Sequence, residues 1–258
     1  MTLRTEPWPA GVPCYADLMA PDVPTAIAFY GAVFGWSFTD PDPQYGGYVV
    51  AQVDGHAAAG IGPVMGDAPI QWRLYLASDD VAKTVAAITE HGGTVVVGPD
   101  EVGPLGSLAI ALDPTGAAFG VWQAGIHLGS EIVNQAGGLA WEDLRSSDPD
   151  TARAFYQSVF GYRFDTLEMA GPAYTMFALP DQEAPLGGIG DMMGMDGAGS
   201  QWLVYFGVAD ADAAAAAAES NGGAIAVPGT DTPFGRMYGL TDPAGALFWI
   251  VAITPAAS

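Results

Sequence analysis

Apolar and polar positions follow two alternating periods along this chain. In Cys14–Met19 the period is two, the signature of a strand, with Tyr15 and Asp17 on one face and Cys14 and Ala16 on the other. Asp22 then stands where a helix N-cap belongs, with Pro24 in the first turn. Ala26, Phe29, Tyr30 and Val33 follow the i, i+3, i+4, i+7 rule, and Gly35 closes the helix, so Phe29 and Phe34 read as core. YVVAQV and AAAGIGPV around Asp54-Gly55 predict a hairpin. The unit then restarts. WRLYLA is a strand, and Asp79 or Asp80 caps a helix through Val81, Val85 and Ile88 that stops at Gly92-Gly93. Three short strands follow, with a type I turn at Asp113-Pro114-Thr115-Gly116.

The whole pattern occurs twice. AFYGAVFG (28–35) returns as AFYQSVFG (154–161), Tyr30 to Tyr156 being an offset of 126. CYADL at 14 is answered by AWEDL at 140, and QWRLYL at 71 by QWLVYF at 201. PLG and DPTG, at 104 and 113, return as PFG and DPAG at 233 and 242. Two homologous halves are expected: a tail at 1–12, a domain at 13–124, a linker at 125–137, a second domain at 138–252 and a tail at 253–258. Each half reads as strand, helix, three strands, twice over. The second helix of the second half holds Asp212 and the run Ala213–Ala218, which maximises helix propensity and lets the helix approach the sheet closely.

Composition narrows the function. Half of the 258 residues are hydrophobic, enough for packed cores. Seven basic against 29 acidic residues give a net charge of −22, which argues against nucleic acid, whose binding needs cations on phosphates, and against anionic membranes. One cysteine excludes an internal disulfide framework and suits a reducing compartment. No leader-like apolar stretch opens MTLRTEPWPAGVP and no apolar run reaches a membrane span, so a cytoplasmic protein is expected.

Paired βαβββ units, with AFY…FG after the first strand and DPxG before the last, resemble the vicinal oxygen chelate superfamily. That group includes glyoxalase I, extradiol dioxygenases and bleomycin-resistance proteins. The resemblance implies an α+β fold of two tandem glyoxalase/bleomycin-resistance-like domains, each a pair of βαβββ modules, four modules in all. It also implies a ligand or metal cleft in each curled sheet, and fused halves that stand in for a dimer, leaving a monomer or a homodimer open. In metal-dependent members, ligands come from the first strand, the strand after the hairpin, and a Glu four residues past the Gly of DPxG. The matching positions here are Tyr15, Arg73 and Gly120, then Trp141, Leu203 and Trp249; none is a usual ligand. His56, His91 and His127 share no predicted face. No metal and no cofactor are expected. A metal-dependent glyoxalase or dioxygenase would need ligands from elsewhere, such as Glu142, Asp143 and His56.

The same cleft positions carry other chemistry. Alternation puts Tyr15, Asp17, Arg73 and Tyr75 on one face of the first half. In the second half it groups Trp141, Trp202 or Leu203, Tyr205 and Trp249, with Asp143 and Arg236 as polar anchors. Arg73 and Arg236 are not duplicated, so the clefts have diverged. Met193 belongs to a Gly-rich segment, GDMMGMDGAG, suited to an irregular apolar ligand. Asp17 paired with Arg73 reads equally as a contact that stiffens the sheet. Cys14, facing away from Tyr15, reads as a buried small hydrophobe. The expected function is metal-independent binding of an apolar or aromatic small molecule, of the sequestration or resistance type. The alternative is a cofactor-free isomerase, cyclase, hydratase or lyase of secondary metabolism. There Asp17 or Asp143 would be the base, Tyr15 the acid, and Arg73 or Arg236 the oxyanion anchor.

Overall fold

The computed structural model describes residues 3–64, 66, 69–167, 174–192, 197 and 199–253. The first domain runs β1 (Pro13–Ala20), α1 (Val23–Phe34), β2 (Ser37–Phe38), β3 (Val49–Val53) and β4 (His56–Pro63). Its second module runs β5 (Trp72–Ala77), α2 (Val81–Glu90), β6 (Thr94–Glu101), β7 (Gly106–Leu112) and β8 (Ala118–Ala124). The second domain repeats the order. It begins β9 (Leu139–Arg145), α3 (Pro149–Phe160), β10 (Arg163–Thr166), β11 (Thr175–Ala178) and β12 (Gly187–Gly190). It ends β13 (Gln201–Val208), α4 (Ala211–Ser220), β14 (Ala224–Thr232), β15 (Gly235–Thr241) and β16 (Leu247–Ala252). Each domain builds one eight-stranded sheet, ordered β2-β3-β4-β1-β5-β8-β7-β6 and β10-β11-β12-β9-β13-β16-β15-β14. The modules join at the centre, where β1 meets β5, and β9 meets β13, antiparallel. This is the expected two-domain α+β architecture of four βαβββ modules.

Local chemistry explains the helix ends. Asp22, Asp80, Asp148 and Asp210 each accept a backbone N–H of the first turn, and Gly35 and Gly161 close α1 and α3 in the left-handed region. The cap of α2 is therefore Asp80 rather than Asp79. The alanine run of α4 buries Ala211, Ala214, Ala215 and Ala218, and its smallness lets α4 lie against α1 of the other domain. No described helix is long and apolar enough to cross a membrane.

One face of each sheet, with the helices, contributes to a single core shared by both domains. Phe34 and Trp72 of the first domain meet Phe206 of the second at 5.1 and 4.9 Å, and Phe119 meets Tyr156 at 5.6 Å. The repeated motifs converge here. Trp72 Nε1 donates to the Tyr30 hydroxyl at 3.0 Å, and that hydroxyl donates to Asp242 Oδ2 of the other domain at 3.2 Å. Reciprocally, Trp202 Nε1 donates to the Tyr156 hydroxyl at 2.8 Å, and burial followed by the charge of Asp113 raises the Tyr156 pKa. Asp242 and Asp113 also shape their own DPxG turns by accepting backbone N–H groups. Trp202 is thus a core residue, not a cleft residue: β13 alternates, and Leu203 takes the opposite face.

Candidate functional site

The other face of each sheet is a hollow, and the two hollows have floors of the same design. In the second, Asp143 lies at the centre of β9, 3% exposed, and both its oxygens are occupied. Oδ1 accepts from Tyr174 OH at 2.6 Å and Trp141 Nε1 at 2.9 Å; Oδ2 accepts from Arg145 Nη2 at 2.6 Å and Tyr205 OH at 3.1 Å. Trp141, Asp143 and Arg145 share this face because β9 alternates. Burial works against the Arg145 charge, but Asp143 together with Tyr205 and Tyr174 outweighs it, and the guanidinium pKa rises. The Tyr174 and Tyr205 phenols are raised, by burial first and then by the Asp143 charge. Gly188 is required beneath Tyr174, since a Cβ there would lie 1.9 Å from the phenol oxygen.

The first hollow repeats the floor. Asp17 Oδ2 accepts from Tyr75 OH at 2.9 Å and from Tyr48 OH at 3.4 Å, and Gly60 lies beneath Tyr48 as Gly188 lies beneath Tyr174. Asp–Tyr–Tyr is therefore duplicated, at 17/48/75 and 143/174/205. The arginine is not: Arg73 comes from β5, opposite Asp17, whereas Arg145 comes from β9, two residues beyond Asp143. Burial pushes the Asp17 carboxyl up to about 6, against the opposing charge of Arg73 and the phenol hydrogen bonds. Cys14 is buried beside this cluster, where its Sγ–H donates to Tyr75 O at 3.4 Å. Burial raises its thiol pKa, which keeps it a thiol at neutral pH.

What lies above the floors differs. Over the second there is a cavity of about 790 Å³. Trp141 and the stacked pair Tyr205–Trp249 (5.2 Å, 23°) form its aromatic wall. Leu203, Val227 and Met237 add apolar surface, and Phe234 stands at its rim, 59% exposed. The linker contributes Asn134. Over the first floor, Tyr15, Tyr75 and Trp122 pack together and are at most 7% exposed.

The structure brings Trp141, Asp143, Tyr205 and Trp249 together at one cavity, and Tyr15, Asp17, Arg73 and Tyr75 at the other floor. It separates Arg236, which lies on the face of β15 opposite Met237 and is engaged by Asp212 at 2.6 Å and Asp231 at 3.0 Å. Met193 lies outside the described residues. Arg145 and Tyr174 escaped the sequence reading. Two signals pointed to them: the i+2 alternation from Asp143, and the 126-residue offset that turns Tyr48 into Tyr174.

The metal positions implied by the resemblance do not fit a chelated cation. A Cβ at Gly120 would lie 2.1 Å from the Tyr75 ring, and Trp249 fills the equivalent place in the second domain. Asp143 already faces a guanidinium. Among the described residues no three His, Cys, Asp or Glu side chains form a ligand group. His56 lies 3.8 Å from Glu131, and His91 caps the end of α2.

Comparison with known proteins agrees with this architecture. The family model described as the glyoxalase/bleomycin resistance protein/dioxygenase superfamily matches residues 14–121 and 138–250. The Mycobacterium tuberculosis protein named "Putative glyoxylase CFP32" is 39% identical over 253 residues, covering 95% of this chain and 96% of that protein. The anthracycline biosynthesis protein DauV of Streptomyces sp. strain C5 is 32% identical over 262 residues, covering 95% and 94%. Among solved structures, the Mn(II)-bound glyoxalase of Novosphingobium aromaticivorans superposes with a TM-score of 0.67 at 16% identity, over 95% of this chain and 83% of that one. The 2,3-dioxygenase LapB of Pseudomonas sp. KL28 gives 0.65 at 15%, over 94% and 92%.

Proposed function

The chain belongs to the glyoxalase/bleomycin resistance protein/dioxygenase superfamily, and from that premise we propose that its second domain binds a flat aromatic small molecule without a metal. The observation that carries this reading is the cavity of about 790 Å³, walled by indole and phenol rings, with the buried Asp143–Arg145–Tyr174 cluster in its lining. Small-molecule sites of roughly 300–1,000 Å³ have this character: apolar walls and a few fixed polar groups that set orientation. Trp141 and Trp249 supply ring faces, and the Arg145 guanidinium, oriented by Asp143, supplies the cationic N–H edge for a phenol or carbonyl oxygen at the ligand's edge. The relation to a protein named for anthracycline biosynthesis supports a fused-ring aromatic as the ligand.

Asp143 serves orientation rather than proton abstraction. Four donors already occupy its oxygens, so no lone pair is left directed at a substrate. This favours binding over the cofactor-free acid–base reading.

The test is titration with 1,4-dihydroxyanthraquinone, followed by tryptophan fluorescence and calorimetry. Saturable quenching is expected, unchanged after dialysis against a chelator, and lost in Leu203→Trp, which fills the cavity. Absence of saturable binding to the wild-type protein, or binding that disappears with chelator, defeats the reading.

A further inference from the structure

The space that is a cavity in the second domain is taken, in the first, by the chain itself. The His127 ring lies edge-on to Tyr15 at 4.8 Å and against Trp122 at 5.6 Å. Burial lowers its pKa, so at neutral pH it is an uncharged aromatic plate. Trp8, from the segment before β1, packs on the same cluster and donates Nε1 to Ser130 O at 3.0 Å. This plug is latched. Gly125 and His127 N–H donate to Leu105 O, Ile126 N–H to Pro104 O, and Trp122 Nε1 to His127 O, at 2.9 to 3.1 Å. Pro104-Leu105 is the repeat counterpart of Pro233-Phe234, which rims the open cavity.

Next to Tyr15, the floor is incompletely answered. Asp17 Oδ1 and Arg73 Nε are buried with no hydrogen-bond partner, although Asp17 is only 5% exposed. Buried polar groups of a finished core are paired. An unanswered acceptor and an unanswered donor on cross-strand partners have the chemistry of a binding floor. The same repeat positions bind, on the reading above, in the second domain.

We propose that the first domain holds a second site for a flat aromatic molecule with a hydrogen-bonding edge, and that His127 and Trp8 are its built-in occupant. The proposal shares its ligand class with the function assigned to the second cavity. A tethered plug competes at high effective concentration, so the native chain shows weak or no occupancy there. Removing the plug exposes Tyr15 and Trp122 as ring faces on the same strand face as Asp17 and Arg73.

The experiment uses the full chain with Trp8→Ala and His127→Ala together, in the wild-type background and in Leu203→Trp. Calorimetry with 1,4-dihydroxyanthraquinone is expected to rise from one to two molecules per chain in the first background, and from none to one in the second. A folded, cooperatively melting Trp8→Ala/His127→Ala/Leu203→Trp protein that binds no probe overturns the proposal. Binding by that triple variant while the wild type binds none would instead sink the second-cavity reading and leave this one standing. If the plug variants do not fold, His127→Ala alone is melted with and without imidazole. A rise in melting temperature with imidazole, absent in the wild type, is expected; no rise overturns the proposal.

Discussion

Replacing Asp17 by Asn changes how stability depends on pH, with a sign and size fixed by the burial of that carboxyl. Burial pushes Asp17 up from 3.8 to about 6, winning over Arg73 and the phenols of Tyr75 and Tyr48. A carboxylic acid held above its unfolded value favours the folded state fully below the unfolded pKa. It loses that advantage as pH rises from about 4 through about 6. At about 1.4 kcal/mol per pH unit, a rise of this size corresponds to about 3 kcal/mol. Asn stays neutral, and its carbonyl can still accept from Tyr75 OH. Urea unfolding of both proteins at about pH 3.5, 5 and 7.5 is the assay. The other titrating groups cancel in the difference. Asp17→Asn is expected to gain about 3 kcal/mol on the wild type between the ends of that range. A difference that stays flat with pH, or slopes the other way, refutes the reasoning.

Three further outcomes follow from contacts in the second domain and the shared core. Arg145→Met strands the Asp143 carboxylate, 2.6 Å from the lost guanidinium, and is expected to cost about 3–5 kcal/mol in denaturant unfolding; adding Asp143→Asn should recover most of it. Gly188→Ala drives a methyl to 1.9 Å from the Tyr174 oxygen, so dihydroxyanthraquinone affinity measured by fluorescence should fall along with the melting temperature. Tyr30→Phe leaves the Trp72 Nε1 donor buried without its acceptor, and unfolding should become easier by about 1–3 kcal/mol.

The fold was open to inspection in the sequence because the repeated strings are the ones that build it. AFY, QW and DPxG supply Tyr30, Trp72 and Asp242 to one inter-domain contact chain and Tyr156, Trp202 and Asp113 to its reciprocal. Those motifs specify joinery, which is why they announced the architecture and said little about chemistry. The site was half legible. Strand alternation placed Trp141, Asp143, Tyr205 and Trp249 on one face, and all four line the cavity. It left Trp202 and Leu203 undecided, because the choice between them depends on a one-residue register, and the structure puts Leu203 at the cavity and Trp202 in the core. It misassigned Arg236 because the acidic partners Asp212 and Asp231 come from α4 and β14, outside any local pattern. Contents of the first hollow were hidden for a similar reason: Trp8 and His127 arrive from segments without periodicity, and only the folded path of the linker shows where they rest.

The linker carries His127 into one hollow and Asn134 to the wall of the other. Two identical subunits related by a dyad could never do this, since every change would appear in both at once. Joining the copies end to end releases them from that symmetry, so one bowl can be filled by the chain's own rings while its twin stays open. Tandem repetition thus lets one polypeptide close one hollow with its own side chains and leave the other open.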